Sequence, residues 1–306
     1  MNWKHSFEDI ISQANHENKY TMLHDMRRKV FQDTVSIVRR VGYYSKQDVY
    51  IELPDPESMK QGTRFYSVEL PPCNNVPLKQ DMVIEVINVD SILAAKRLKD
   101  NGFNPAVLNM ASRQNPGGGV LNGAGAQEEN LFRRTNLFLS MYQFASYAAE
   151  YGLVKSRYQY PLDRNFGGVY TPEACVFKGL EKDGYPLLDE FFQLSFIAVP
   201  AMNRPALDCN GRIVTGLIHG IKNKIRTIFR IGLRKGHDAL VLGAWGCGAF
   251  RNPPAHIARL FHEVLDEVEF KNKFRQIVFA ILEDHNSRKE HNPEGNLIPF
   301  KREFGQ

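Results

Sequence analysis

Three consecutive glycines, Gly117, Gly118 and Gly119, precede an acidic helix start in this 306-residue sequence. They follow a hydrophobic segment that is predicted to be a strand, and open α/β sheets bind ligands at the carboxyl ends of their strands. Without Cβ atoms, the backbone amides of such a segment can approach a ligand closely and wrap a diphosphate or a ribose. A bare glycine triplet is equally compatible with a flexible connection from a strand to a helix.

The sequence Gln127-Glu128-Glu129 follows the glycines after a spacer of seven residues, at the start of a predicted helix. Taken alone, the two carboxylates are explained by helix capping, because acidic residues in a first turn stabilise the helix dipole by about 0.3–1 kcal/mol. Taken with the glycines, they would lie near whatever the loop binds. One of them could then act as a general acid, provided that a poorly solvated pocket raises its pKa.

A second small-residue loop at 246–249 follows the hydrophobic segment 239–243 and is closed by Phe250. Its glycines, and the start of the helix predicted from Pro254, offer amides to an anion. The loop is a poor dinucleotide fingerprint, because the third glycine of G-x-G-x-x-G is absent and the loop comes late in the chain. A plain connection or a Rossmann-like turn is the alternative, and an aromatic residue after a loop is more often a core residue than a ligand contact.

Several other polar residues have simple explanations. Asp90 follows a predicted strand and precedes a helix, so N-capping explains it fully. Asn109, at the end of its strand, can either orient a ribose or satisfy loop backbone. Cys247 has no histidine or basic partner nearby in the sequence, which argues against a nucleophile. No G-x-S-x-G elbow is present. Four histidines are predicted to lie apart, without a catalytic role: His219, His237, His256 and His262.

The elements that must position these loops alternate between strands and helices. Strands are predicted at 82–87, 106–110, 194–199, 239–243 and 276–282. Helices are predicted at 91–98, 213–235 and 254–268, with a long helix from about Glu128 to Tyr151. One or two opening helices at 7–41, ended by Gly42, lead into a proline-bearing segment with short strands at 49–53 and 65–70. The alternation indicates a three-layer α/β/α domain with helices on both faces of the sheet.

The composition is that of an ordinary globular protein. Lys and Arg exceed Asp and Glu by 39 to 34, which permits an anionic substrate but is too small an excess to predict duplex nucleic-acid binding. The four cysteines are scattered without a CxxC pair, so no metal site is expected.

Residues 1–20 lack the apolar core of a signal peptide, and no segment approaches the roughly 18 apolar residues of a membrane span. We therefore expect a cytoplasmic protein, with the nucleus as the alternative.

The glycine triplet, the spacer and the following QEE are similar to the signature of poly(ADP-ribose) glycohydrolases, and the chain resembles the bacterial-type branch of that family. The likeness extends from about Arg27 to the C-terminus and includes Val107–Ser112, Glu129–Arg134, Tyr160–Leu162 and Val169–Pro172. The resemblance implies a macro-domain fold with a mixed sheet. That catalytic domain would occupy residues 78–306, behind an N-terminal helical extension at 1–77.

The resemblance also implies a role for each loop. Glu129 would protonate the leaving ribose oxygen and then help to deprotonate water, while Glu128 would bind ribose hydroxyls. The second loop would hold the diphosphate, Phe250 would pack on the ribose being cleaved, and Asp90 would lie on the adenine side. Besides the two glutamates, the residues implied to bind ADP-ribose are Gly117, Gly118, Gly119, Val120, Gln127, Gly246, Cys247, Gly248, Ala249, Phe250, Asn109 and Asp90.

No cofactor or metal is implied. The expected partners are an ADP-ribose polymer or ADP-ribosylated proteins, bound by a monomer without membrane or duplex nucleic-acid contact. Three alternatives stay open. The same fold can bind ADP-ribose without chemistry, although the presence of both carboxylates argues against this, and the chain can instead remove single ADP-ribose groups from proteins. A nicotinamide-dependent oxidoreductase is the remaining enzyme class.

Overall fold

The computed structural model describes residues 3–13, 16–74, 78, 80–283 and 287–305. The chain folds into two compact units. Unit 1 consists of Met1–Thr63, Gln114–Pro161 and Thr171–Leu194, and unit 2 of Arg64–Arg113, Leu162–Tyr170 and Ser195–Gln306. The domain boundary between residues 77 and 78 stays a prediction, and residue 77 lies outside the described residues.

Helices and strands alternate through most of the chain. The α-helices are α1 (Lys4–Gln13), α2 (His16–Arg39), α3 (Glu57–Gly62), α4 (Ser91–Asp100), α5 (Gln127–Arg134), α6 (Leu137–Met141), α7 (Thr215–Arg234), α8 (Pro254–Leu265) and α9 (Leu297–Glu303). The strands are β1 (Gly42–Tyr44), β2 (Tyr50–Glu52), β3 (Arg64–Tyr66), β4 (Val83–Ile87), β5 (Pro105–Asn109), β6 (Gly168–Lys178), β7 (Leu187–Ala198), β8 (Ala239–Leu242) and β9 (Gln276–Ala280). No helix within the described ranges is both long and apolar enough to cross a bilayer.

A central seven-stranded sheet has the order β3-β6-β7-β5-β8-β9-β4. The neighbours from β7 through β5, β8 and β9 to β4 are parallel, whereas β3 pairs antiparallel with β6. All residues of β5 are buried, as expected for a parallel strand that is covered on both faces. The predicted α/β class, with a mixed sheet flanked by helices, is confirmed.

The core of unit 2 joins its helices to the parallel strands. Phe229 of α7 packs against Phe261 of α8, with ring centroids 6.2 Å apart, and Phe261 packs edge-on against Phe279 of β9 at 5.5 Å. α7 ends before Gly236, whose φ of 73° suits a residue just beyond a helix. α8 begins at Pro254, because the fixed φ of proline suits a first helical position. Both helix limits agree with the sequence prediction.

In unit 1, the opening helices pack on a turn that comes much later in the chain. Phe7 and Ile10 of α1, together with Met26 and Val30 of α2, form a buried cluster with Tyr185. Gly42 does not end these helices as predicted. α2 already ends at Arg39, and Gly42 begins β1.

The long helix predicted from Glu128 to Tyr151 is wrong. α5 ends at Arg134, because Thr135 is extended with a φ of −137° and forms an antiparallel bridge with Val176 of β6. Asn136 continues the contact, since its Oδ1 accepts from the Cys175 amide at 2.8 Å. Pairing with a strand thus replaces helical hydrogen bonds at this point, although the apolar spacing of the sequence continues.

The sequence analysis also missed strand structure. β6 was not predicted, and β7 begins at Leu187 instead of Leu194. β6 contains Pro172, which cannot donate to a ladder, and Glu173 with a φ of 47°. These two residues interrupt the regular alternation by which a strand is recognised. Conversely, the segment predicted at 65–70 forms only the short strand β3.

Candidate active site

The glycine triplet has a backbone that side chains would not tolerate. Gly117 and Gly118 have φ values of 78° and 57°, in the left-handed region. A Cβ on Gly117 would lie 2.7 Å from the Phe132 ring, and one on Gly118 would overlap the Glu129 carboxylate. The triplet therefore packs closely against α5, which a plain connection does not require.

The two carboxylates of α5 reach back to this loop. Oε1 of Glu128 accepts from the Gly117 amide at 3.1 Å, and Oε1 of Glu129 accepts from the Gly119 amide at 2.8 Å. Both side chains are buried, with exposed fractions of 3% and 7%. The N-cap residue Ala126 makes no side-chain cap. The two carboxylates thus accept hydrogen bonds from amides of the glycine loop. Helix capping alone does not explain these contacts.

The second oxygen of Glu129 differs from the first. Oε2 is buried and has no hydrogen-bond partner within the described ranges. A buried carboxyl oxygen without a partner is costly to folding, so it points to a function. The arrangement holds one oxygen in place and leaves the other able to exchange a proton or accept from a hydroxyl.

Three partly or fully buried tyrosines interact electrostatically with the neighbouring Glu128. Burial raises the pKa of Tyr147 to about 12, and the charges of Tyr151 and Glu128 add to this rise. The pKa values of Tyr142 and Tyr160 also lie well above the usual value, mainly through burial and additionally through Glu128. These phenols stay neutral at physiological pH and therefore add no charge near Glu128.

Two arginines contact the segment that joins the loop to α5, Arg133 at Ala124 and Arg27 at Gly125. Arg133 is fully buried, and its Nη1 donates to the Ala124 carbonyl at 2.7 Å. Its Nε donates to the Tyr185 hydroxyl at 2.7 Å, and that hydroxyl donates to Glu181 at 2.5 Å. Arg27 of α2 forms a two-pronged pair with the same Glu181, with a shortest distance of 2.7 Å.

Sequence reasoning missed this network. Of these residues, only Arg133 could have been recognised from the sequence, because it follows Glu129 at helical i+4 spacing. The contact between Arg27 and Glu181 spans 154 positions of the chain, so no local pattern indicates it.

The second loop, in unit 2, is shaped by its own contacts. Gly246 has a φ of 76°, and a Cβ there would lie 2.5 Å from the Cβ of Ala201. The Asn252 side chain donates to the carbonyls of Met202 at 2.7 Å and Gly246 at 3.0 Å. His291, which the sequence did not single out, lies 3.0 Å from the Cys247 carbonyl through Nε2. The loop is therefore braced from outside by side chains.

Three successive amides of this loop are not used by the protein. Gly248, Ala249 and Phe250 donate no backbone hydrogen bond to any residue in the described part of the chain. Consecutive amides of this kind form a concavity that binds anions. Cys247 is fully buried, and burial raises the pKa of its thiol, so the argument against a nucleophile holds.

The weaker candidates take ordinary structural roles where contacts are described. Asp90 caps α4, since its Oδ1 accepts from the amides of Ile92 at 3.1 Å and Leu93 at 3.2 Å. Asn109 is fully buried at the end of β5, and its carbonyl accepts from Ala111 at 2.8 Å. His237 contacts the Tyr170 hydroxyl, and His256 accepts from the Ile213 amide. The ADP-ribose contacts expected of Asp90 and Asn109 stay predictions.

The structure brings together the residues of the first signature within unit 1, namely Gly117, Gly118, Gly119, Val120, Gln127, Glu128 and Glu129. The remaining candidates lie in unit 2, namely Asp90, Asn109, Gly246, Cys247, Gly248, Ala249 and Phe250. The candidate residues of each loop therefore all belong to one unit. No group of three or more His, Cys, Asp or Glu side chains among the described residues is arranged to hold a metal ion.

Comparisons with known proteins identify the family. The family model described as microbial-type PARG, catalytic domain, matches residues 31–179. The crystal structure of poly(ADP-ribose) glycohydrolase from Thermomonospora curvata is 30% identical, covers 91% of this chain and 99% of its own, and superposes with a TM-score of 0.74. The same enzyme bound to the inhibitor ADP-HPD is 30% identical, with coverages of 90% and 98% and a TM-score of 0.71.

A third structure, poly(ADP-ribose) glycohydrolase from Deinococcus radiodurans in complex with ADP-ribose, is 29% identical, covers 83% of this chain and 99% of its own, and has a TM-score of 0.62. A comparison with curated protein sequences finds no match. The resemblance inferred from the glycine triplet and the acidic pair is confirmed. The chain belongs to the microbial-type poly(ADP-ribose) glycohydrolase family.

Proposed function

We propose that this chain hydrolyses the ribose–ribose glycosidic bonds of poly(ADP-ribose) and releases ADP-ribose, with Glu129 as general acid and base. The observation that carries the proposal is the Glu129 carboxyl group. Its Oε1 is fixed by the Gly119 amide at 2.8 Å, while its buried Oε2 has no hydrogen-bond partner in the described ranges. One oxygen orients the group, and the other can exchange a proton with a substrate.

Cleavage of a glycosidic bond requires a proton on the leaving oxygen. In the proposed reaction, Glu129 protonates the leaving ribose oxygen as its bond to the anomeric carbon breaks, and that carbon gains oxocarbenium character. Water then attacks the carbon and gives a proton to the Glu129 carboxylate, which restores the acid. Glu128, held by the Gly117 amide, binds ribose hydroxyls and fixes the sugar in this scheme.

The second loop is proposed to bind the diphosphate through backbone amides. Support comes from the three successive amides of Gly248, Ala249 and Phe250 that donate to no described residue. Gly246 and the buried Cys247 contribute backbone to this loop. Phe250 keeps the role that the family resemblance implies, packing on the ribose being cleaved.

The test compares substrates and variants by quantifying free ADP-ribose. The wild-type protein is expected to release it from the polymer. Glu129→Gln should lower that release by about 10²–10⁴-fold, the usual contribution of a general acid or base. Its affinity for ADP-ribose, measured by calorimetry, should stay close to that of the wild type. Glu150→Gln, which changes an exposed glutamate of the same unit, should behave as the wild type.

The same experiment separates the alternatives. Release from proteins carrying single ADP-ribose groups, without release from the polymer, would identify a mono-ADP-ribosyl hydrolase. Binding without release from either substrate would identify a binding module. Full turnover by Glu129→Gln would contradict the assignment of the acid.

We further propose that the chain acts as a cytoplasmic monomer on ADP-ribose polymers or ADP-ribosylated proteins. Light scattering during size-exclusion chromatography measures the mass directly. A dimeric mass would overturn the monomer proposal.

A further inference from the structure

The second loop of unit 2 packs on the chain segment 199–204, which follows β7. A Cβ on Gly246 would lie 2.5 Å from the Cβ of Ala201, so Ala201 packs directly on the start of the loop. At the end of the loop, the Arg204 amide donates to the Phe250 carbonyl at 2.8 Å. The segment 199–204 therefore contacts the loop on both sides of the three amides that donate to no described residue.

Two side chains that flank the loop in sequence also bind this segment. Nε1 of Trp245 donates to the Val199 carbonyl at 2.9 Å, and the Asn252 side chain donates to the Met202 carbonyl at 2.7 Å. Hydrogen bonds thus join the segment to the loop at two further points. The position of the loop amides therefore depends on the position of the segment.

A buried lysine holds the same segment from the helical side. Nζ of Lys224, on α7, donates to the Pro200 carbonyl at 2.7 Å, and Lys224 is 2% exposed. Pro200 lies directly between Val199, which binds Trp245, and Ala201, which packs on the loop. The hydrogen bond therefore connects the segment to a helix of the unit 2 core at the point where the loop rests on it.

The buried ammonium group is costly to the fold. Burial lowers the pKa of Lys224 to about 8, and the charge of Arg113 adds to this, while the charge of Asp163 opposes it. Burial also raises the pKa of Asp163, but hydrogen bonds from the backbone amides that follow it outweigh this effect and lower it. The Pro200 carbonyl is the acceptor that the described residues offer to the three N–H groups of Lys224. Because a buried apolar side chain would avoid this cost, the contact with Pro200 points to a role in function.

We propose that Lys224 is a positioning residue for ADP-ribose binding, which fixes the segment 199–204 and thereby holds the amides at 248–250 in the arrangement that receives the diphosphate. The inference rests on the proposed function of the second loop. Lys224 acts through Pro200 and touches no substrate in this scheme. Because the proposed acid belongs to the first loop and α5, loss of Lys224 should weaken binding and leave bond cleavage almost unchanged.

Lys224→Met tests this role, since methionine fills similar space without the ammonium group. At neutral pH, calorimetry should show a Kd for ADP-ribose raised about tenfold, as expected for the loss of one hydrogen bond made by a charged group. The kcat on saturating polymer should change little. Lys222→Met is the matched control, because Lys222 lies on the same helix but pairs with Glu263 at 2.8 Å. An unchanged Kd in Lys224→Met, or a lower kcat at unchanged Kd, would overturn the proposal.

Amide hydrogen exchange tests the positioning without any ligand. The amides of Arg204 and Asn252 donate to carbonyls of the second loop, at 2.8 Å and 3.0 Å. Both should exchange about tenfold faster in Lys224→Met than in the wild type, whereas the amides of β9 should keep their rates. Unchanged exchange at these two amides, or faster exchange throughout unit 2, would reject the positioning role.

The exchange measurement also separates this inference from the proposed function. If the wild type bound no ADP-ribose, the proposed role of the second loop would fail, but the exchange rates would still show whether Lys224 positions that loop.

If Lys224→Met does not fold, nuclear magnetic resonance of the wild type decides. The Cε resonance of Lys224 should shift when ADP-ribose binds, because a ligand on the loop acts on Lys224 through the segment 199–204. The Cε resonance of Lys222 should stay in place. A Lys224 resonance that does not move while ADP-ribose binds would contradict the proposal.

Discussion

The two glycine-rich loops of this protein use their backbone amides in different ways. In the first loop, the amides of Gly117 and Gly119 donate to the carboxylates of Glu128 and Glu129, and the Gly118 amide donates to the Asn115 carbonyl. In the second loop, the amides from Gly248 to Phe250 donate to no residue in the described part of the chain. The amides of the first loop position the two carboxylates, and the amides of the second loop remain available to a ligand.

This difference assigns proton transfer to the first loop and ligand binding to the second. Glycine in the first loop allows the backbone to lie against two acids and hold them for proton transfer. Glycine in the second loop allows the backbone to form an anion-binding concavity, which side chains such as Asn252 brace from outside. Similar sequence patterns therefore predict different effects of substitution on kcat and on affinity.

Among substitutions within the two loops and their supports, the largest effect is expected at Gly118. In Gly118→Ala, the added Cβ would overlap Glu129 in a left-handed backbone, so both carboxylates must move. A displacement of about 1 Å at reacting groups costs around 100-fold in rate, and we expect at least that loss of ADP-ribose release. Gly102→Ala is the matched control, because Gly102 has a φ of 78° and open space around it. Equal activity of the two variants would refute the rigid role of the first loop.

Asn252→Ala probes the second loop. Loss of its hydrogen bonds to Met202 and Gly246 should loosen the amides and raise the Kd for ADP-ribose about tenfold, corresponding to roughly one lost hydrogen bond. The kcat on polymer should change little. Calorimetry and steady-state kinetics measure the two quantities, with Asn210→Ala, at an exposed position, as the control. A fall in kcat at unchanged Kd would instead show that the second loop acts in the reaction and not in binding.

Each unit also contains a buried lysine, which predicts how stability depends on pH. Burial lowers the pKa of Lys178 in unit 1 and of Lys224 in unit 2 to about 8, from an ordinary value of 10.5. Between these values the unfolded chain binds the additional proton of each lysine, so each lysine should make the free energy of unfolding rise with pH by up to about 1 kcal/mol per pH unit. The buried thiols of Cys175 and Cys247 act in the opposite direction, because burial raises their pKa and the unfolded chain loses their protons first.

Urea unfolding at several pH values between 8 and about 9.5, below the ordinary tyrosine pKa, measures this slope. Lys178→Met and Lys224→Met should each make this slope less positive than it is in the wild type. An unchanged slope in either variant would show that the corresponding lysine is already charged in the folded protein over this range.

The smallest effect is expected at Asp90. Asp90→Ala should cost about 1 kcal/mol of stability, because the amides of Ile92 and Leu93 lose their cap. If Asp90 only caps α4, the Kd for ADP-ribose will not change. A weaker Kd in the folded variant would instead support the adenine-side contact that the family resemblance implies.

Regular elements were the more predictable part of the fold. The parallel strands β5, β8 and β9 are continuous buried apolar segments, and α7 and α8 carry clear limits at Gly236 and Pro254. The prediction failed at Thr135, where a bridge to Val176 ends α5. It also failed at β6, whose pairing does not depend on local alternation. In both cases, contacts distant in sequence override local preference.

The site was predictable to a similar extent. The glycine triplet, its spacing from Glu128 and Glu129, and the second loop were all recognisable from the sequence. The network of Arg27, Glu181 and Tyr185 was not, because these residues meet only after α2 has packed on the turn that contains Glu181 and Tyr185.

The sequence by itself determined the family, the α/β class and the two loops, because glycine spacing, apolar runs and the acidic pair are local features. The tertiary structure alone decided how those features are used. It directs the amides of the first loop to the carboxylates, leaves those of the second loop without described acceptors, and brings Arg27 to Glu181 across 154 positions of the chain. Hydrogen bonding and charge compensation depend on distances in space, and only the folded chain defines these distances.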